Sequence, residues 1–142
     1  MADTSAGFRF RYRLGGGSAT IQELTFKDTE VLTKGDIVNL ETGEIDLGAT
    51  ADTNLLGVAL ETKSGTDSTT TLKVIVDADA VYGVYDANAR VKGATLDLSG
   101  ATGAQTVATS SNKEFVVVDA STAAEETLVR FNIGKHHGNV AL

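Results

Sequence analysis

The chain has 142 residues with a net charge of −7 and a pI near 4.7, which argues against a dedicated nucleic-acid binder, whose footprint should be basic. It has no cysteine, so disulfide scaffolds, thiolate metal sites and thiol nucleophiles are excluded. Abundant glycine, threonine and valine, with no proline or tryptophan, favour strands and turns over helices.

Met1–Gly7 carries neither a basic nor an apolar stretch, so no secretory signal is read there. The apolar runs reach only four or five residues, far short of the ~20 that span a bilayer. The expectation is a soluble chain made in a cytoplasm, with no membrane and no nucleic-acid partner. Phe8-Arg9-Phe10-Arg11-Tyr12-Arg13-Leu14 then alternates apolar and basic residues, which places Phe8, Phe10, Tyr12 and Leu14 on one strand face and the arginines on the other. Gly15-Gly16-Gly17-Ser18 follows as a flexible joint. Residues 1–17 hold three of the twelve basic and one of the nineteen acidic side chains, a local +2, and the remainder carries −9. The organisation expected is an N-terminal arm and glycine hinge over 1–17, then a single domain over 18–142 with a short C-terminal tail. The simpler alternative makes Phe8–Leu14 the first strand of that domain.

Beyond the hinge, strands are predicted over Thr20–Phe26, Asp36–Leu40, Leu55–Thr62, Thr70–Asp77, Ala80–Tyr85, Thr95–Leu98, Glu114–Asp119 and Glu126–Ile133. Leu72, Val74 and Val76 alternate with Lys73, Ile75 and Asp77, as in a strand with one face packed inward. Loops such as Lys63–Ser68 and Ser99–Gly103 supply turns. Helix is confined to single turns at Asp86–Val91 and Ser121–Glu126. The core expected comprises Val38, Leu40, Leu56, Val58, Leu72, Val74, Val76, Val117, Val129 and Phe131. An internal echo runs through the body: Lys34–Leu40 matches Lys92–Leu98 at an offset of 58, and each copy leads through a small-residue loop to an apolar strand and a closing strand. Two related β-units packed together would produce this.

Catalytic chemistry finds little support. The histidines, His136 and His137, are adjacent and lie near the C-terminus, where an exposed tail is the simplest reading. Asp77 and Asp79 would share a strand end and offer a conceivable cation site, although Asp more often ends strands and solvates loops. Glu125 and Glu126 form a second carboxylate pair. The Gly15–Thr20 loop lacks the GK[ST] ending of a phosphate cradle. No catalytic, cofactor or metal residue is assigned. The segment that stands out is the arm, and Phe8, Arg9, Phe10, Arg11, Tyr12, Arg13 and Leu14 are the candidate partner-binding residues, adding a strand to a neighbouring chain.

Lys34-Gly35-Asp36-Ile37-Val38, followed by Ala51-Asp52-Thr53-Asn54-Leu55-Leu56-Gly57-Val58-Ala59, resembles the capsid decoration (cement) proteins of tailed bacteriophages. It also resembles the broader group of small phage virion proteins in which a GD-x-V element precedes an A…D…GVA strand. The resemblance implies an all-β protein, a compact β-barrel of the β-tulip type with a flexible N-terminal arm. It implies a non-enzymatic, homotrimeric component of the virion, bound to the capsid exterior and clamping adjoining subunits of the major capsid protein. The arm corresponds to that family's capsid-engaging segment by position and type. Arg130 and the acidic loops around Asp46 and Asp67 are further candidate subunit contacts. Alternatives are a tail- or fibre-associated β-domain, a carbohydrate- or ligand-binding module with exposed Tyr82 and Tyr85, and an enzyme joining His136 or His137 to Asp77 or Asp79.

Overall fold

The computed structural model describes residues 7–66, 69–109, 111–121, 125–132 and 134–136; among them there are thirteen strands and no helix. The strands are β1 (Phe8–Arg13), β2 (Ile21–Thr25), β3 (Glu30–Leu32), β4 (Ile37–Glu41), β5 (Glu44–Leu47), β6 (Leu55–Val58) and β7 (Lys63–Gly65). They continue with β8 (Thr71–Ile75), β9 (Ala80–Asp86), β10 (Thr95–Ser99), β11 (Thr106–Thr109), β12 (Phe115–Val117) and β13 (Glu125–Phe131). One sheet has the order β1-β9-β13-β12-β10-β11 and another β5-β4-β6, while β2-β8 and β3-β7 form two-stranded sheets. The protein is all-β, and among the described residues the strands form these separate sheets with no closed barrel found.

The sequence echo is a structural repeat. Gly35 N–H donates to Ala59 O (2.9 Å) and Ala59 N–H to Asp36 O (2.8 Å). Fifty-eight residues on, Gly93 N–H donates to Val117 O (2.9 Å) and Val117 N–H to Ala94 O (2.8 Å). In each copy a Lys-Gly turn with positive φ at the glycine enters a strand, β4 or β10, flanked by the next two strands of the chain. The match extends outward: Leu32 pairs with Lys63 as Arg90 pairs with Ser121, and β2 pairs with β8 as β9 pairs with β13. Unit one runs over Ile21–Ile75 and unit two over Ala80–Phe131.

Each unit has its own core. Phe26, Leu32, Val38, Ile45, Leu56, Ala59, Leu72 and Val74 fill unit one. The second cluster is built on unit two and takes in Phe8, Ile37, Leu55, Val58 and Ile75 from outside it. Thus β8 lies between the two cores, sending Leu72 and Val74 to one and Ile75 to the other. This corrects the expected one-sided alternation, since Ile75 and Asp77 are buried too. Of the expected core residues, Leu40 and Val76 are half-buried and the others buried. The units are joined by reciprocal loop contacts. Asp36 of unit one accepts hydrogen bonds from Thr102 Oγ1 (2.6 Å) and Gly103 N–H (2.9 Å) of unit two. Glu114 of unit two accepts from Thr50 Oγ1 (2.9 Å) and Ala51 N–H (3.2 Å) of unit one. Gln105 completes the joint, accepting from Ile37 N–H at 2.6 Å and donating to Gly48 O at 2.8 Å.

Two local expectations are also corrected. Asp86–Val91 forms no helical turn, because Asp86 ends β9 and Arg90 pairs in a β-bridge with Ser121; the Ser121–Glu126 turn falls partly outside the described residues. His136 is not in an exposed tail: it is 2% exposed, its Nε2 lies 2.7 Å from Leu56 O, and its ring packs 5.1 Å from that of Phe131. That carbonyl can only accept, so Nε2 carries the proton. His137 and Asp67 lie outside the described residues.

Candidate partner-binding strand

The arm is an ordered edge strand of the protein's own sheet. The alternation read from Phe8–Leu14 is a true strand pattern, but its partner is β9, with Phe8 opposite Val84, Arg9 opposite Gly83 and Phe10 opposite Tyr82. A bulge follows at Arg11, and Tyr12 and Arg13 resume against Val81 and Ala80. Phe8 is 2% exposed and stacks on Phe115 at 5.1 Å, and Phe10 meets Tyr82 edge-on at 6.4 Å. Burying an aromatic ring contributes about 1.5–3 kcal/mol, so an aromatic face beside an open sheet edge docks there. The expectation of a flexible, detachable arm is corrected for this reason.

The three arginines meet carboxylates of the same chain. Arg11 Nε donates to Glu126 Oε1 at 2.7 Å and its Nη2 to Oε2, and Arg9 Nη2 reaches Glu126 Oε2 at 3.3 Å. The absent side chain of Gly83 makes the path: a Cβ there would fall 2.3 Å from the Glu126 carboxylate, which crosses β9 at that point. The hydrogen bond from Arg11 is the main reason the Glu126 carboxyl titrates below its ordinary range. Arg13 Nε donates to Asp79 Oδ1 at 2.8 Å and lies 3.5 Å from Asp77 Oδ1. That hydrogen bond lowers the Asp79 pKa and raises that of Arg13.

The glycine joint is tied down as well. Gly15 N–H donates to Asp79 Oδ2 (3.0 Å), Leu14 N–H to Asp79 O (3.0 Å), and Thr20 N–H to Asp77 Oδ2 (2.6 Å). The aspartates considered as a cation site or as loop solvation are therefore anchors for the far end of β1. Among the described residues, no three His, Asp or Glu side chains gather to hold a metal ion. What β1 leaves open to a partner is its far end: Arg11, Tyr12 (42% exposed) and Leu14 (54% exposed). Arg130 instead donates to Phe131 O at 3.2 Å, and Asp46 accepts from Asn39. Tyr82 is fully buried and Tyr85 half-buried, so Tyr82 offers no platform to a carbohydrate.

The residues of the sequence motif come together at the centre of unit one. Ile37 and Val38 pair with Val58 and Gly57, and Asp36 caps its own turn by accepting from Thr33 N–H (2.8 Å). Gly57 has no room for a side chain, since a Cβ would sit 1.8 Å from Ile75 O. Glu126, Gln105 and Glu114 went unassigned in the sequence. Only Glu126 carried a signal, as half of a carboxylate pair. A cavity of about 320 Å3 opens in unit two between Tyr85–Asn88 and Ala104, Thr106 and Val107. Compared with known proteins, the chain matches no family model and no curated sequence.

Proposed function

We propose that this protein is a bacteriophage capsid decoration protein that binds the outer surface of the head, clamps adjoining major capsid subunits and assembles as a homotrimer. The observation that carries the reading is the meeting of the two motif halves: Lys34–Val38 and Ala51–Ala59 form one paired element, β4 on β6, at the heart of unit one. The glycines and Asp36 of that motif are explained by backbone approach and turn capping, as befits a structural element. On this reading β1 meets the capsid through Arg11, Tyr12 and Leu14, while Phe8, Arg9, Phe10 and Arg13 hold the strand in place.

The test is co-sedimentation of the purified protein with undecorated, expanded heads built from tailed-phage major capsid proteins. Saturable binding at a fixed ratio, with a trimer mass in sedimentation equilibrium on or off the lattice, is the expected result. No binding to heads, together with antibody labelling confined to tails, would overturn it in favour of a tail-associated domain.

A further inference from the structure

The repeat presents one strand edge in two states. In unit two, β9 has β13 on one side and β1 on the other. In unit one the corresponding strand, β2, has β8 on one side, and on the other it is met only at its C-terminal end, where Phe26 makes an isolated parallel bridge to Ile45 of β5; among the described residues no strand runs along Ile21–Leu24. Hydrogen-bond parity shows which groups face that open side. Thr20 O accepts from Val76 N–H and Phe26 N–H donates to Thr70 O, so residues 20, 22, 24 and 26 turn their backbone groups toward β8. Ile21, Glu23 and Thr25 therefore turn theirs outward. Lys27 has the same parity, and its N–H is taken by Ile45 O at 2.8 Å; with the parallel bridge of Phe26 to Ile45 this closes the edge from Thr25 onward and leaves Ile21 and Glu23 open. Ile21 is 53% exposed, and Gln22 and Glu23 are exposed beside it.

We propose that the open edge of β2, Ile21–Leu24, is a docking site for an extended segment of another protein whose residues alternate apolar and basic. The occupant is argued from the molecule itself, because the equivalent edge of β9 is covered by a strand of that kind, paired antiparallel through its backbone. An added strand gains main-chain hydrogen bonds from the edge and selectivity from alternate side chains. Charge selects the same chemistry: Glu23 stands on the edge of a body carrying −9, so a basic strand is attracted and acidic strands of a second copy are repelled. Exposed edges are ordinarily blunted by proline, bulges or inward charges, and Ile21–Thr25 has neither proline nor a register break.

The experiment uses the full chain and a labelled synthetic peptide of residues 8–14, Phe-Arg-Phe-Arg-Tyr-Arg-Leu, as probe. Anisotropy should show saturable, salt-weakened binding, and amide exchange should slow at Ile21 and Glu23. Glu23→Pro removes an outward N–H without touching the β8 ladder and should weaken binding at least tenfold. Should Glu23→Pro fail to fold, Glu23→Lys should still weaken binding several-fold with the unfolding midpoint unchanged. Absent saturation, protection at β9 in place of β2, or unchanged binding by the folded variants would each overturn the proposal. Self-association of the chain that disappears in Glu23→Pro would assign the edge to a second copy and overturn the foreign strand.

Discussion

Units one and two share a strand order and differ at one end. In unit one, Phe26 and Leu32 are both fully buried, and a bridge from Phe26 to Ile45 brings β2 against β5. The pairing register maps Phe26 onto Asp86, Leu32 onto Arg90 and Ile45 onto Val107. In unit two, therefore, an ion pair stands where unit one has two apolar side chains. Arg90 Nη2 lies 3.3 Å from Asp86 Oδ1, its Nε makes a second contact at 2.5 Å, and the side chains are 14% and 3% exposed. Beside this pair, where unit one has its bridge, unit two has its cavity, and Thr106 Oγ1 reaches across to Tyr85 O at 3.0 Å. The same backbone plan tolerates either filling. An apolar plug draws the strands together, whereas a charged pair must keep its hydrogen-bonding geometry and leaves the gap open.

β1 is the second difference, since it covers an edge in unit two that unit one leaves open. The largest expected effect comes from reversing this. Deleting Met1–Leu14 removes Phe8 from the core and uncovers Phe115 and β9, so the loss should exceed the about 3–5 kcal/mol of a buried Phe→Ala change; urea unfolding measures it. An unchanged midpoint would mean that unit two, like unit one, stands without an edge strand. Next, Phe26→Ala should cost about 3–5 kcal/mol, because Gly65 packs directly on that ring. Arg90→Ala should cost about 3 kcal/mol by stranding Asp86. The double change Asp86→Phe with Arg90→Leu should restore or raise stability by up to about 2 kcal/mol and fill the cavity, giving unit two the closed end of unit one. Calorimetry and a crystal structure of the double variant check both halves of that statement.

A smaller effect concerns pH. The folded pKa of Glu126 lies below its ordinary value of 4.5, so its contribution is complete above that value and is lost as pH falls through the lowered one. The stability gap between wild type and Glu126→Gln should be greatest near neutral pH, below about 1 kcal/mol for so exposed a network, and shrink as pH falls below the ordinary carboxylate range. Urea midpoints at stepped pH follow it. The smallest effect is expected in unit one: Glu23→Lys should change stability by less than about 0.5 kcal/mol.

Much of the strand plan was legible. Eight predicted strands correspond to β2, β4, β6, β8, β9, β10, β12 and β13, because each has an apolar run long enough to read. The others, β3, β5, β7 and β11, are three or four residues long, and Glu44–Leu47 and Lys63–Gly65 carry turn-like or charged residues. Their strand state comes from the partner across the ladder. The repeat was readable because both copies keep Lys-Gly before a strand, which a tight turn with positive φ requires. At the candidate site, the alternation of Phe8–Leu14 showed a strand with an aromatic face. It could not show whether that face met a partner or the chain's own β9, since the glycine joint permits both.

Local pattern by itself determined that this protein is built of strands, that it repeats, and that its first strand carries alternating aromatic and basic residues. Each of these is set within a few residues, by period and by turn geometry. Tertiary structure alone decided where the charges went. Glu126, Asp77 and Asp79 lie more than sixty residues from the arginines that they hold, and Asp36 and Glu114 are buried by loops of the opposite unit. A buried carboxylate is tolerated only where distant donors converge on it, and that convergence is a property of the folded chain, which no local period encodes.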